Sequence, residues 1–219
     1  MMAVLLAMLR RDLANFLGGG RQGGALLPVL FFLSVALIVP LAVGPRADIL
    51  AQVGPGVIWV AALLAAILPL DRLVEPDLET GFFDQMALRG VAEEALIAAR
   101  IVSHWLTFAP PLLLATPIAA ALMDIPGDRL LLLEVGLLAG TPGLAALGVT
   151  IAALTAGLRG GTALAGLLLI PLAVPLLIFG AGSIRDGGES GLALTAAISL
   201  GLVALAPFAG GAALRAARE

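Results

Sequence analysis

The sequence predicts an all-α membrane protein with six transmembrane helices preceded by an interfacial helix, the whole of 1–219 forming a single transmembrane domain. Three observations carry this. The 219 residues are 61% hydrophobic and 12% charged, with a mean hydropathy of +1.11. Soluble domains run at roughly 45–50% apolar and about 25% charged, and one of this size cannot hide so much apolar surface, so lipid is the solvent. The apolar residues also gather into six runs of roughly the 20 residues that a spanning helix needs. Finally, the arginines fall unevenly on the two sides of those runs.

The first stretch, residues 1–20, reads as amphipathic rather than spanning. Val4, Leu5, Met8, Leu9, Leu13, Phe16 and Leu17 make a broad stripe, and Arg10, Arg11, Asp12 and Asn15 occupy the remaining face. Such a helix lies in the interface plane. Its charges follow its apolar part, the reverse of a cleaved signal peptide. Gly18–Gly20, Arg21, Gly23 and Gly24 then predict a bend before the first span.

The six spans are expected at Ala25–Val43, Val53–Leu70, Leu96–Met123, Leu130–Ala156, Thr162–Ser183 and Leu192–Ala213. Short polar separators divide them, except for one long interruption. The fourth run is long enough for a tilt or a local break at Gly140-Thr141-Pro142-Gly143. Pro110, Pro111 and Pro117 interrupt the third span, and Pro171 and Pro175 the fifth. They suit either kinked helices that rearrange around a pathway or the ordinary tolerance of spanning helices for proline. Gly136 and Gly140 form a small-xxx-small pair that permits close helix approach.

The long interruption, 71–94, is the most informative segment. It holds Asp71, Glu75, Asp77, Glu79, Asp84, Glu93 and Glu94, seven of the fifteen acids, against only Arg72 and Arg89. Leu78, Phe82 and Met86 recur at the spacing of one helical face. Thr80 suits a cap of that helix, and Gly90 suits the position just past its end. An anionic lipid surface attracts basic segments, so an acidic amphipathic helix between two spans is better suited to docking on another protein.

Arginine counts orient the chain. With a cytoplasmic N-terminus, Arg10, Arg11, Arg21, Arg72, Arg89, Arg100, Arg159, Arg215 and Arg218 lie inside, and only Arg46, Arg129 and Arg185 outside. Nine against three places both termini and the acidic loop in the cytoplasm.

Composition excludes several activities. There is no cysteine, hence no disulfide, thiolate metal site or cysteine nucleophile. All twelve cationic residues are arginine. A P-loop needs a lysine to reach the β- and γ-phosphates, so ATP hydrolysis by this chain is not expected. The net charge of −3 and the lack of a basic stripe give no sign of nucleic-acid binding. Intramembrane charge is sparse. Glu134 reads as a substrate contact or carboxylate relay, or as a side chain snorkelling to the interface. Arg100 is expected to snorkel to the cytoplasmic surface. His104 is the only histidine; it reads as a ligand, or more simply as an interhelical bond or interface anchor, with Trp105 suiting an interfacial belt. No second His or Cys exists to complete a site in one chain.

Five segments, collinear from the first span to the last helix, carry a resemblance. They are GPGVIWVAALLAAILPLDRL with the following EPDLETGFFDQM, His104-Trp105, LLAGTPGLAALGV, LLLIPLAVPLLIFGAG and ALAPFAGGAALR. Together they resemble the CcmB family of cytochrome c maturation proteins, permease subunits of an ABC transporter often labelled the haem exporter. The family's cytoplasmic loop varies in its acids, and here Glu75-Pro76 stands in place of a more open polar pair.

The resemblance implies an ABC-2/ABCG-like permease of the bacterial cytoplasmic membrane. Its first helix would be an elbow, and its 71–94 loop would carry a coupling helix resting on the ATP-binding subunit CcmA. Two permease copies and two ATPase chains would associate with CcmC and CcmD, and ATP hydrolysis would release the haem-loaded chaperone CcmE. ATP and Mg would sit on the partner ATPase, haem would be handled by the complex, and this chain would bind no cofactor itself. Phe82, Phe83 and Met86 would enter a groove on the ATPase, with Glu75, Asp77, Glu79 and Asp84 around them and Glu79 and Asp84 meeting its basic residues; the alternative for the two aromatics is burial against the membrane surface. The partner's movement would tilt spans two and three through Asp71-Arg72 and Glu93-Glu94. Rival readings are a permease for another cargo such as lipid or polysaccharide, a self-sufficient transporter, and a scaffold for the haem-handling subunit. A self-sufficient transporter would work in liposomes without ATP. A scaffold would tolerate disruption of the loop helix.

Overall fold

The computed structural model describes residues 6–11, 14, 26–184 and 188–218. These are helical with short connections, and no strand occurs among them. Among the described residues eight α-helices follow the N-terminal stretch: α1 (Leu26–Val43), α2 (Ala47–Ile67), α3 (Glu75–Glu79), α4 (Phe82–Leu88), α5 (Glu93–Leu122), α6 (Gly127–Thr155), α7 (Gly161–Gly182) and α8 (Glu189–Ala217), with a 3-10 turn at Leu70–Arg72 after α2. All but α3 and α4 are long and apolar enough to cross a bilayer, which gives the six expected spans. The expected interfacial helix lies mostly outside the described residues; within them, 6–11 are helical and Met8 is buried. The predicted bend at 18–24 lies wholly outside.

Helix α6 is the centre of the bundle. It packs most extensively against α8, and then against α7 and α5, while α1 leans on α2 and α5. Its glycines explain why. Gly140 of α6 and Gly180 of α7 leave a notch that the Trp59 indole of α2 fills completely, and a Cβ at either glycine would overlap the ring. Spanning helices associate through close packing rather than through expulsion of water, so small residues belong at such contacts.

One expectation about the spans needs correction, and one alternative is excluded. Helix α2 begins at Ala47, not Val53, because Ala-Asp-Ile-Leu-Ala-Gln continues the helix outward with Asp48 in its first turn. Helix α6 runs through 140–143 without a break. Pro142 disturbs that turn, and the Gly143 N–H donates to Ser199 Oγ of α8 at 2.9 Å, so a neighbouring helix satisfies the strained stretch.

Candidate functional site

The 71–94 loop is two short helices, not one. Thr80 closes α3, its Oγ1 donating to the Pro76 carbonyl at 2.9 Å. Gly81 follows with φ of +68° and opens α4. A left-handed residue cannot continue a helix, so Leu78 is separated from Phe82 and Met86 despite the even spacing. The other end matches expectation. Gly90 has φ of +70°, its N–H reaches the Ala87 carbonyl at 2.9 Å, and the Val91 N–H reaches that of Met86 at 3.1 Å. That is the Schellman arrangement, with Met86 and Val91 both buried against it.

Burial sorts the loop's apolar residues. Phe83 and Met86 belong to the chain's own core, and Phe82 is half-buried, edge-on to Phe83 at 5.7 Å between centroids. Phe83 and Met86 therefore anchor the loop to the bundle instead of standing ready for a partner's groove. The residue that does stand out is Leu88, at 89% exposure. Sequence reasoning missed it because it falls off the Leu78–Met86 spacing. Glu79 is also exposed, and Glu75 is half-buried at the start of α3.

The acids are largely engaged within the chain. Asp77 accepts from Arg11 Nη2 at 2.7 Å and Nη1 at 3.2 Å, and also from Arg100 Nη2. Arg11 in turn lies 4.9 Å over the Phe82 ring. Arg100 does not snorkel to the surface: its side chain is 8% exposed and reaches Asp77 inside the bundle end. Asp84 accepts from Arg218 Nε at 2.6 Å through one oxygen, and its side chain stays 61% exposed. Glu93 and Glu94 meet Arg218 and Arg215 at 2.9 and 2.6 Å. Asp71 and Arg72 face each other at 3.8 Å. The loop is thus tied to the N-terminal stretch, to α5 and to α8.

His104 and Trp105 lie inside the bundle rather than at an interface. His104 is about 16 Å along α5 from Glu93, at 1.5 Å per residue. It is fully buried, its ring 4.9 Å from Phe108. It leans toward the Ala66 backbone without a hydrogen bond of normal geometry at either ring nitrogen. Trp105 Nε1 donates to Thr141 Oγ1 at 3.0 Å, at the midpoint of α6. Glu134 is half-buried, with Leu131 and Leu138 exposed beside it one turn away on either side. Its Cα–Cβ bond tilts toward the start of α6, the end away from the loop, which favours snorkelling. Among the described residues no three His, Cys, Asp or Glu side chains gather closely enough to hold a metal ion.

Comparison with known proteins agrees with this architecture. Residues 3–217 match the family described as CcmB protein. The chain belongs to the CcmB family. It is 45% identical to heme exporter protein B of Rhodobacter capsulatus over 214 residues, covering 95% of this chain and 97% of the relative. It is 43% identical to heme exporter protein B of Paracoccus denitrificans over the same shares. With the protein of that name from Bradyrhizobium diazoefficiens the identity is 38%, covering 98% of each chain. The family places the protein in the membrane as a multi-pass chain, in keeping with its six apolar helices.

Proposed function

We propose that the chain is the permease subunit of an ABC transporter for cytochrome c biogenesis, driven from the cytoplasm by the separate ATP-binding subunit CcmA. Two permease copies work with CcmC and CcmD, and the ATP energy serves haem handling, ending in release of haem-loaded CcmE. The chain hydrolyses nothing itself; its lack of lysine supports that division of labour. The arginine bias supports a cytoplasmic-membrane topology with both ends and the 71–94 loop inside.

One observation carries the reading. The loop between α2 and α5 is folded into two helices braced by ion pairs, with Leu88 projecting from α4 and Glu79 exposed on α3. A braced, water-facing element with an apolar knob suits a partner that pushes it. Phe82 flanks the docking face, while Phe83 and Met86 hold it from behind.

Leu88→Asp in the co-expressed pair tests this, since Leu88 contributes nothing to the chain's own core. Recovery of the ATPase with the tagged permease in detergent is expected to fall at least roughly tenfold, as for loss of an interface anchor. Undiminished recovery sinks the docking face. A single cysteine at Glu79, in a chain that has no other, is expected to react with impermeant maleimide only from the cytoplasmic side.

A further inference from the structure

The expected route of movement out of the loop ran through α2 and α5. The ion pairs draw a different one. We propose that Arg215 and Arg218, at the end of α8, latch α4 onto the first turn of α5, so that a push on the loop moves α5 and α8 as one unit.

Arg218 bridges two elements. Its Nε bonds Asp84 of α4 at 2.6 Å, and its Nη1 bonds Glu93 of α5 at 2.9 Å. Arg215, one turn earlier, reaches Glu94 at 2.6 Å and Glu93 at 3.5 Å. Two cations from one helix end thus meet three carboxylates from two other elements. The backbones beneath are correspondingly close. A Cβ on Gly210 would come within 2.9 Å of Ile97 Cγ2, and one on Gly211 within 3.1 Å of the Glu94 backbone nitrogen. Glycines at both positions let α8 lie directly on the start of α5. Exposed ion pairs are individually weak, but a network seated on a tight helix contact resists shear between its members.

This latch rests on the proposed docking of an ATPase at the loop, and its test keeps the two ideas apart. In the chain alone, a cysteine replacing buried Met86 reports on α4. Its labelling by maleimide is expected to be slow in the otherwise wild-type chain and about tenfold faster with Arg215→Glu and Arg218→Glu. Reversing the partners as well, with Asp84→Arg, Glu93→Arg and Glu94→Arg added to Arg215→Glu and Arg218→Glu, is expected to restore slow labelling. Equal rates in all three chains overturn the latch whether or not an ATPase binds. In the complex, the Arg215→Glu/Arg218→Glu permease is expected to retain the ATPase and its ATP hydrolysis while holocytochrome c output falls at least about fivefold. A merely structural role would not separate hydrolysis from output. Undiminished output with the ATPase bound overturns the proposal. Failure of the wild-type chain to bind the ATPase overturns the functional reading instead.

Discussion

Asp77 is the residue whose loss is expected to cost most in the loop, and the arithmetic can be checked. Its carboxylate, 16% exposed, serves Arg11, 39% exposed, and Arg100, 8% exposed. Asp77→Ala removes the carboxylate that the Arg100 guanidinium reaches at the end of the bundle. Removing one partner of a buried pair costs about 3–5 kcal/mol, and residual water access at Asp77 lowers this to about 2–3 kcal/mol. Arg11→Ala removes an exposed pair and a cation–π contact, about 1 kcal/mol together. Replacing both charges of the buried pair, Asp77→Leu with Arg100→Met, is expected to be milder than Asp77→Ala, because only the part-exposed Arg11 then loses this carboxylate. The assay is equilibrium unfolding of the purified chain in mixed SDS micelles, followed by tryptophan fluorescence. With the single substitutions Asp77→Leu and Arg100→Met completing the cycle, a coupling of about 2 kcal/mol between the two positions is expected. If Arg11→Ala costs as much as Asp77→Ala, or if the double substitution is additive, Arg100 is not buried against Asp77 and the reasoning fails.

Two further outcomes follow from the interior. His104→Leu removes two buried nitrogens that make no hydrogen bond, so the unfolding free energy is expected to hold or rise by up to about 1 kcal/mol, with holocytochrome c output within about twofold of wild type. Lost output from a well-folded His104→Leu chain would instead make the histidine a ligand. Gly140→Leu forces a side chain into the Trp59 ring and is expected to destabilise by about 1–3 kcal/mol in the same unfolding assay. Combining it with Trp59→Ala is expected to cost less than the sum of the two, since the leucine then fills the vacated space.

The spans were legible because bilayer thickness sets their length and composition fills it. Proline rarely ended them: α5 continues through Pro110, Pro111 and Pro117, and α6 through Pro142. The C-terminal stop of the loop at Gly90 was legible from its residue type, yet the same property of Gly81 was overlooked beside an attractive 78–82–86 spacing. Which way Phe83 faced was not legible, since side-chain direction in a seven-residue helix depends on what lies beneath it. The acids misled for a related reason. Asp77 meets arginines 66 residues earlier and 23 later, and Asp84 one 134 residues later, pairings that no local pattern reveals. A usable hint was present in the topology, because nine arginines and seven loop acids assigned to one compartment are apt to neutralise one another before any partner arrives.

The indole of Trp59, wedged between helices that offer it bare backbone, has a mechanical corollary. Axial sliding or rotation of α2 requires the ring to be withdrawn, whereas rocking about it does not. The ring leaves about 12 Å of helix on the loop side and about 18 Å on the other. Were α2 to rock about the ring, a small shift near Ile67 would reappear at Ala47 reversed in sense and about one and a half times as large.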